Sequence, residues 1–345
     1  MKRSEFLHWT GLIAFMGLNA SCKPATKLSN NSKPLKPGLI ALKGIKRTPP
    51  TDEEYLDYSK RFSNWGRWGE NDKLGTLNFI DSDTVLIAQK SIRLGRSISL
   101  GRPIANAGFS MRINRNSFKW GEGKIGVASD KISVIAHGYT ETHIDALNHA
   151  ISIDGKLYNG LPESDITEQG AKSHGIENWR DGIVTRGILY DIPKLRGSTF
   201  IPLDRPVQGW ELEDFARQEN IQPRRGDAVI INCGRNAYFY SNPGAPNTNG
   251  NKPGLHPSVL EFLFSYDSAL LGSDFDEAPN KVYSAIYPIH SISNPFMGLP
   301  TLWNLDLEKL AEACNKYKTW EFFIVIAPLI VIGGTGSVVN PIVVL

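Results

Sequence analysis

Between His137 and His149 the chain reads HGYTETHIDALNH, which brings three of its seven histidines and one aspartate into thirteen residues. Imidazole nitrogens and carboxylate oxygens at this density suit a divalent metal, because zinc and manganese both accept neutral nitrogen and anionic oxygen donors. The preceding run, Lys131-Ile-Ser-Val-Ile-Ala136, has strand character. A strand sends residues i and i+2 to one face, so His143 and Asp145 can reach the same ion. His149 then stands nearby, as a third ligand or as the proton-transfer group beside an activated water. The competing reading of this spacing is a polar turn between strand and helix, with Asp145 as helix N-cap and the histidines half exposed.

The elements that must position these groups can be read from both flanks. Residues 63–78 are rich in glycine and tryptophan and predict a structured loop. In it Trp65 and Trp68 either staple the loop to the core or form an aromatic wall for a flat substrate. Asp81 or Asp83 caps a helix that runs to about Leu94 and is closed by Gly95. A short strand follows at 97–100, and 101–126 reads as a long loop in which Met111, Phe118 and Trp120 form a lid.

Beyond a loop-rich 151–176, residues 182–191 are apolar enough for an interior strand that Pro193 stops. A polar helix (210–219), a second buried strand (228–232) and a Gly/Pro/Asn-rich loop (242–253) come next. Then come a helix beginning near His256, strands at 268–272 and 282–289, a helix at 306–316, and strands at 321–327 and in the tail. The cluster Gly333-Gly-Thr-Gly336 lacks a Lys-Ser/Thr ending and a following helix, which excludes a phosphate loop. Strands outnumber helices, so the expected class is α/β, a mixed β-core with helices packed outside.

Length and charge set the outer limits. At 345 residues the chain can bury a sizeable core, and 21% charged against 41% hydrophobic residues is an ordinary globular balance. The formal charge is +3, and much of the excess lies in the first 47 residues, where Lys2, Arg3, Lys23, Lys27, Lys33, Lys36, Lys43, Lys46 and Arg47 face only Glu5. The remainder is close to neutral or acidic overall, so nothing argues for nucleic acid. Met1-Lys-Arg, an apolar run from Leu7 to Leu18 and the small residues before Cys22 read as an export signal at residues 1–22. Cys22 invites the reading of a lipoprotein-type acylation point, although Asn19 stands where such signals usually carry leucine. The chain is therefore expected in the periplasm or as a membrane-anchored lipoprotein. Residues 23–51, rich in Lys, Pro, Ser and Asn, read as a flexible tether, and the domain proper is expected at 52–345. Cys233 and Cys314 alone make no disulfide framework.

Six ordered blocks then resemble one family. They are Trp65-Gly-Arg-Trp-Gly with Asp72 and Gly75-Thr-Leu-Asn78; Thr142-His-Ile-Asp-Ala-Leu-Asn-His149; Arg186-Gly-Ile-Leu-Tyr-Asp191; Gly226-Asp-Ala-Val-Ile-Ile; Gly272-Ser-Asp274; and Pro328 through Gly336 to Asn340-Pro341. Together they resemble the cyclase family that includes bacterial kynurenine formamidases and isatin hydrolases. The resemblance implies a swivelling β/β/α domain, a homodimer, and zinc or manganese used to hydrolyse an amide, with one ion or two. Carried over by position, it puts metal ligands at 139, 143 and 145 and the catalytic histidine at His149. His143 and Asp145 match, whereas Tyr139 replaces a histidine. Of a distal His/Glu pair, His290 fits the first and Trp303 stands in the second place. His137 keeps the strand parity of position 139, and Glu141 can supply an oxygen.

Two functions compete on this reading. One is an exported, arylformamidase-like hydrolase holding a metal through His143, Asp145 and one or more of His137, Glu141 and His290, with His149 moving the proton and Trp65, Trp68, Tyr139 and Trp303 facing a small-molecule substrate. The other is a metal-poor binding protein of the same fold.

Overall fold

The structure, a computed structural model, describes residues 40–345 apart from 105–107, 249–250 and 280. The export signal, Cys22 and most of the expected tether lie outside the described residues. Residues 40–51, assigned to that tether, are already tied to the folded body. The amides of Gly44 and Ile45 donate to the Glu213 carboxylate and that of Lys43 to the Tyr266 hydroxyl, and Ile45 is buried.

Helix α1 (Asp52–Arg61) starts on a capping box between Thr51 and Glu54. Helix α2 (Ser82–Gln89) is capped by Asp81 and ends before the expected Leu94, because the chain turns to the sheet edge, where the Leu94 amide donates to the Leu345 carbonyl. The strands that follow are β1 (Ser97–Ser99), β2 (Ser110–Trp120), β3 (Gly123–Ser133), β4 (His143–Asp145), the short pair β5 (Ile166–Thr167) and β6 (Gly170–Ala171), and β7 (Ile183–Asp191). Helices α3 (Ile192–Arg196) and α4 (Gly209–Gln218) lead to β8 (Ala228–Asn232), α5 (Arg235–Ser241), α6 (Val259–Ser265) and β9 (Leu270–Ser273). The chain closes with α7 (His290–Ile292), β10 (Thr301–Trp303), α8 (Glu308–Tyr317), β11 (Glu321–Ile326), β12 (Gly336–Val338) and β13 (Ile342–Val344).

Nine strands form one mixed, curled sheet in the order β1-β13-β11-β7-β8-β9-β10-β4-β12, with the helices packed around it. The middle, β7-β8-β9-β10, is parallel. Its strands are covered on both faces and read as continuous apolar runs for that reason. Arg186 interrupts this pattern inside β7; it forks onto Asp227 at 2.6 Å and also pairs with Glu321. A buried guanidinium needs this full set of partners. Gly187 beside it is forced by packing, since an added Cβ would sit 2.1 Å from the Phe322 ring.

Two expectations are corrected. Residues 282–289 form no strand; Ser284 is instead tied through its amide and hydroxyl to the Asp52 carboxylate. The lid expected within 101–126 is half of a two-stranded ribbon, in which β2 and β3 pair antiparallel across the turn at Gly121-Glu122. Gly121, with φ of +59°, supplies the left-handed turn conformation that the sequence reading passed over.

Candidate metal centre

Strand β4 is only three residues long, yet it is paired on both sides. Asp145 lies opposite Thr301 of β10 and Gly336 of β12, and His143 lies opposite Trp303 and Val338. The side chains of β4 are therefore set by rigid neighbours rather than by a loop. Asp145 is completely buried and accepts a hydrogen bond from the Thr301 hydroxyl on Oδ2 at 2.8 Å.

Four imidazoles surround that carboxylate. His137 Nδ1 stands 2.8 Å, His143 Nε2 3.6 Å and His149 Nε2 3.9 Å from Oδ1, while His290 Nε2 stands 3.5 Å from Oδ2. Donor atoms of His137, Asp145 and His149 all lie within 4.8 Å of one another. The rings of His137 and His149 stack, with centroids 3.9 Å apart and planes 11° from parallel. His137 reaches this position because Gly336 is a glycine; a Cβ there would lie 2.4 Å from the His137 ring. Its Nε2 meets the Thr335 hydroxyl at 3.0 Å.

The protonation states favour a cation. His143 Nδ1 faces the Glu141 carbonyl at 2.8 Å, and a carbonyl only accepts, so this nitrogen carries the proton and Nε2 is bare. Burial pushes His143 down and His149 down to about 3, against the pull of Asp145, so both rings are neutral at physiological pH. Burial alone would raise Asp145, but the four imidazoles hold its carboxyl well below the usual range. A bare nitrogen and an ionised oxygen thus face each other across 3.6 Å with no proton to share. Two ligands of a tetrahedral zinc stand about 3.4 Å apart, so a divalent ion fits the donors that are present.

His290 is held differently. Its backbone amide donates to Glu277 Oε1, and its Nδ1 lies 2.5 Å from the same oxygen. Burial disfavours its charged form, yet Glu277 and Asp145 raise its basicity above that of a free imidazole. The Trp303 indole nitrogen lies 3.0 Å from His290 Nε2, so that face of the ring is covered by Trp303. Trp303 is itself buried to 2% exposure.

A cavity of about 410 Å³ opens over these rings. His137, His143, His149 and His290 share its wall with Tyr139, Trp303, Tyr287 and Asp276. Glu141 does not join the donors. Its side chain is buried, accepts from the Thr140 hydroxyl and turns toward Gly138, which is a correction to its expected place among the ligands. Trp65 and Trp68 also stay out of the cavity wall. Trp65 stacks on Phe296 and donates to the Pro295 carbonyl, and Trp68 packs edge-on against Phe79, so both staple their loop. Tyr139 keeps its ring at the cavity while Arg235 and Asn247 hold its carbonyl. Sequence reasoning passed over Glu277, Thr301 and Thr335, isolated polar residues whose role appears only when the strands meet.

The cyclase family model, described as "Putative cyclase", matches residues 78–276, more than half of the chain. A crystal structure described as a novel cyclase superposes with a TM-score of 0.73 at 25% identity, covering 82% of this chain and all of its own. An isatin hydrolase bound to the product analogue thioisatinate aligns with a TM-score of 0.49 at 16% identity over 77% of this chain and 99% of its own. Isatin hydrolase A from Labrenzia aggregata aligns at 0.45 and 16% over 76% and 98%. No curated protein sequence matches. The chain has the swivelling β/β/α fold, and it belongs to the cyclase family.

Proposed function

We propose that this protein is a metal-dependent hydrolase of a small amide or cyclic amide, arylformamidase-like in breaking a C–N bond. The observation that carries this reading is the buried Asp145 carboxylate ringed by four imidazoles at the floor of an open cavity. His137, His143 and Asp145 are assigned as the groups that hold zinc or manganese. His143 and His137 each have a partner on the second ring nitrogen, Glu141 carbonyl and Thr335 hydroxyl, the outer contacts that fix a ligand's orientation. When bound, the ion supplies a Lewis acid that polarises a carbonyl and acidifies water.

His149 is assigned the proton work. Its ring is neutral, lines the cavity, and has its side chain 26% exposed, so its nitrogens are available to solvent and substrate. It would take a proton from the attacking water and return one to the leaving nitrogen. Tyr139, Tyr287 and Trp303 give the cavity the aromatic lining that a flat amide needs. We further assign the chain to export, with Cys22 as its lipid anchor, and to a homodimer. Cys22→Ser should shift the protein out of the membrane fraction, and an unchanged distribution would remove the anchor.

The test is His149→Ala in metal-loaded protein. Turnover of N-formylkynurenine-like amides should be lost while the metal stays bound. Unaltered turnover would refute the role, and loss of the metal would make His149 a ligand, which its distance to Asp145 also permits. Protein that binds aromatic amides but holds neither metal nor activity would be a binding protein instead.

A further inference from the structure

Lys252 is only 1% exposed, and a buried ammonium needs an opposite charge beside it. Its partner is Asp276, whose carboxylate it meets through Oδ1, and its Nζ lies 5.7 Å from the centre of the Tyr139 ring. Asp276 and Tyr139 belong to the wall of the cavity over the metal centre, whereas Lys252 does not. The lysine therefore stands behind that wall and grips the carboxylate from the protein side.

The course of the chain fixes this pair. Residues 252–255 run beside 276–278, where the Leu255 amide donates to the Asp276 carbonyl at 2.9 Å and the Ala278 amide to the Leu255 carbonyl at 3.0 Å. The two segments approach this closely because residue 254 is glycine; a Cβ there would lie 2.4 Å from the Asp276 carbonyl oxygen. Next along the chain, Glu277 holds His290, another group of the same wall. Apolar side chains in place of a buried ion pair are often as stable or more so, which leaves stability alone as a poor reason for burying these charges.

The open part of Asp276 shows what the pair can recognise. Its Oδ1 is buried against Lys252, yet the side chain is 19% exposed, so its other side is turned to the cavity. With Asp145 covered by the imidazoles, Asp276 is the one carboxylate this wall offers among the described residues. An anionic group on a ligand would be repelled by it. An ammonium would have to share a single negative charge with Lys252. A neutral N–H adds no charge and still gains a hydrogen bond to an ionised acceptor, the stronger kind.

We propose that Asp276 is the specificity-determining residue of the cavity, accepting a hydrogen bond from a neutral N–H of the substrate, and that Lys252 is the positioning residue that fixes its carboxylate from behind. The inference rests on the amide-hydrolase reading and narrows it to secondary and cyclic amides that keep their N–H. The test is calorimetric titration of zinc-loaded protein with two probes of one shape, oxindole, which has the N–H, and indan-2-one, which has a methylene in its place. Wild type should bind oxindole about 10- to 150-fold more tightly, the span of one hydrogen bond to a charged group. Asp276→Ala combined with Lys252→Met leaves no buried charge alone and should bind both probes equally. Lys252→Met by itself should lose most of the preference. Equal binding by wild type, or a preference that survives the loss of Asp276, would overturn the proposal, and a preference unchanged in Lys252→Met would overturn the lysine's part in it. Release of aniline from formanilide is followed in the same wild-type preparation. Preference without turnover would overturn the hydrolase reading and uphold the acceptor, and turnover without preference would do the reverse.

Discussion

Replacing Thr301 with valine keeps the shape of the side chain and removes one hydrogen bond, the 2.8 Å contact to Asp145 Oδ2. Both residues are fully buried, and they face each other across the β10–β4 pairing, so no water enters to take the hydroxyl's place. A hydrogen bond to a charged group contributes about 1.5–3 kcal/mol, which corresponds to roughly 10- to 150-fold in an equilibrium constant. The same span, about 10- to 100-fold, is what losing an outer contact to a metal ligand costs in affinity. Thr301→Val should therefore weaken zinc binding by one to two orders of magnitude while leaving every donor atom in place. The assay is competition for zinc against a chromophoric chelator, with the metal-free protein's melt as control for folding. Affinity within twofold of wild type would mean that Asp145 does not bind the ion, and the assignment of the carboxylate as hub would fall.

Gly336→Ala should weaken metal binding, because the new methyl group would meet both the His137 ring and the Ile144 carbonyl of β4 and displace the donors they carry; calorimetric titration showing wild-type affinity would contradict an ion held between His137 and β4. His256, far from this chemistry in role, predicts a pH effect. Its Nδ1 accepts the Ser258 amide and its Nε2 meets the Tyr283 hydroxyl, and burial pushes it down from 6.5 to about 4. The folded value lies below the unfolded one, so the unfolded chain binds more protons between them, and stability present above about pH 6.5 is lost as pH falls toward 4. Chemical denaturation should show His256→Gln losing less stability than wild type over that window, and parallel pH profiles would contradict the reasoning.

Much of the centre was legible because it is local: His143 and Asp145 alternate on one short strand, and His137 and His149 flank them. The interior strands were legible for a related reason, since burial on both faces forces an unbroken apolar run. Several motif blocks turn out to build the scaffold. Asp72 accepts the amides of Leu74 and Gly75, the Asn78 side chain and the Tyr158 hydroxyl, which organises the tryptophan loop. Asp274 accepts the amides of Cys233 and Arg235, and Arg186 pairs with Asp227. Periodicity could not show that Trp65 and Trp68 pack on Phe296 and Phe79 as staples, because either orientation leaves the same spacing. Nor could it show that Trp303 would cap His290, a meeting of two segments set by where β10 joins the sheet. The ribbon was missed because its turn signal, Gly121-Glu-Gly123, was read as part of a lid.

The most direct measurement is the metal content of the purified protein after expression with zinc and manganese supplied, beside Asp145→Asn and His143→Ala. The account predicts about one equivalent or more per wild-type chain and loss of that metal in both variants. Wild-type protein holding less than about a tenth of an equivalent, or variants as well loaded as wild type, would contradict it.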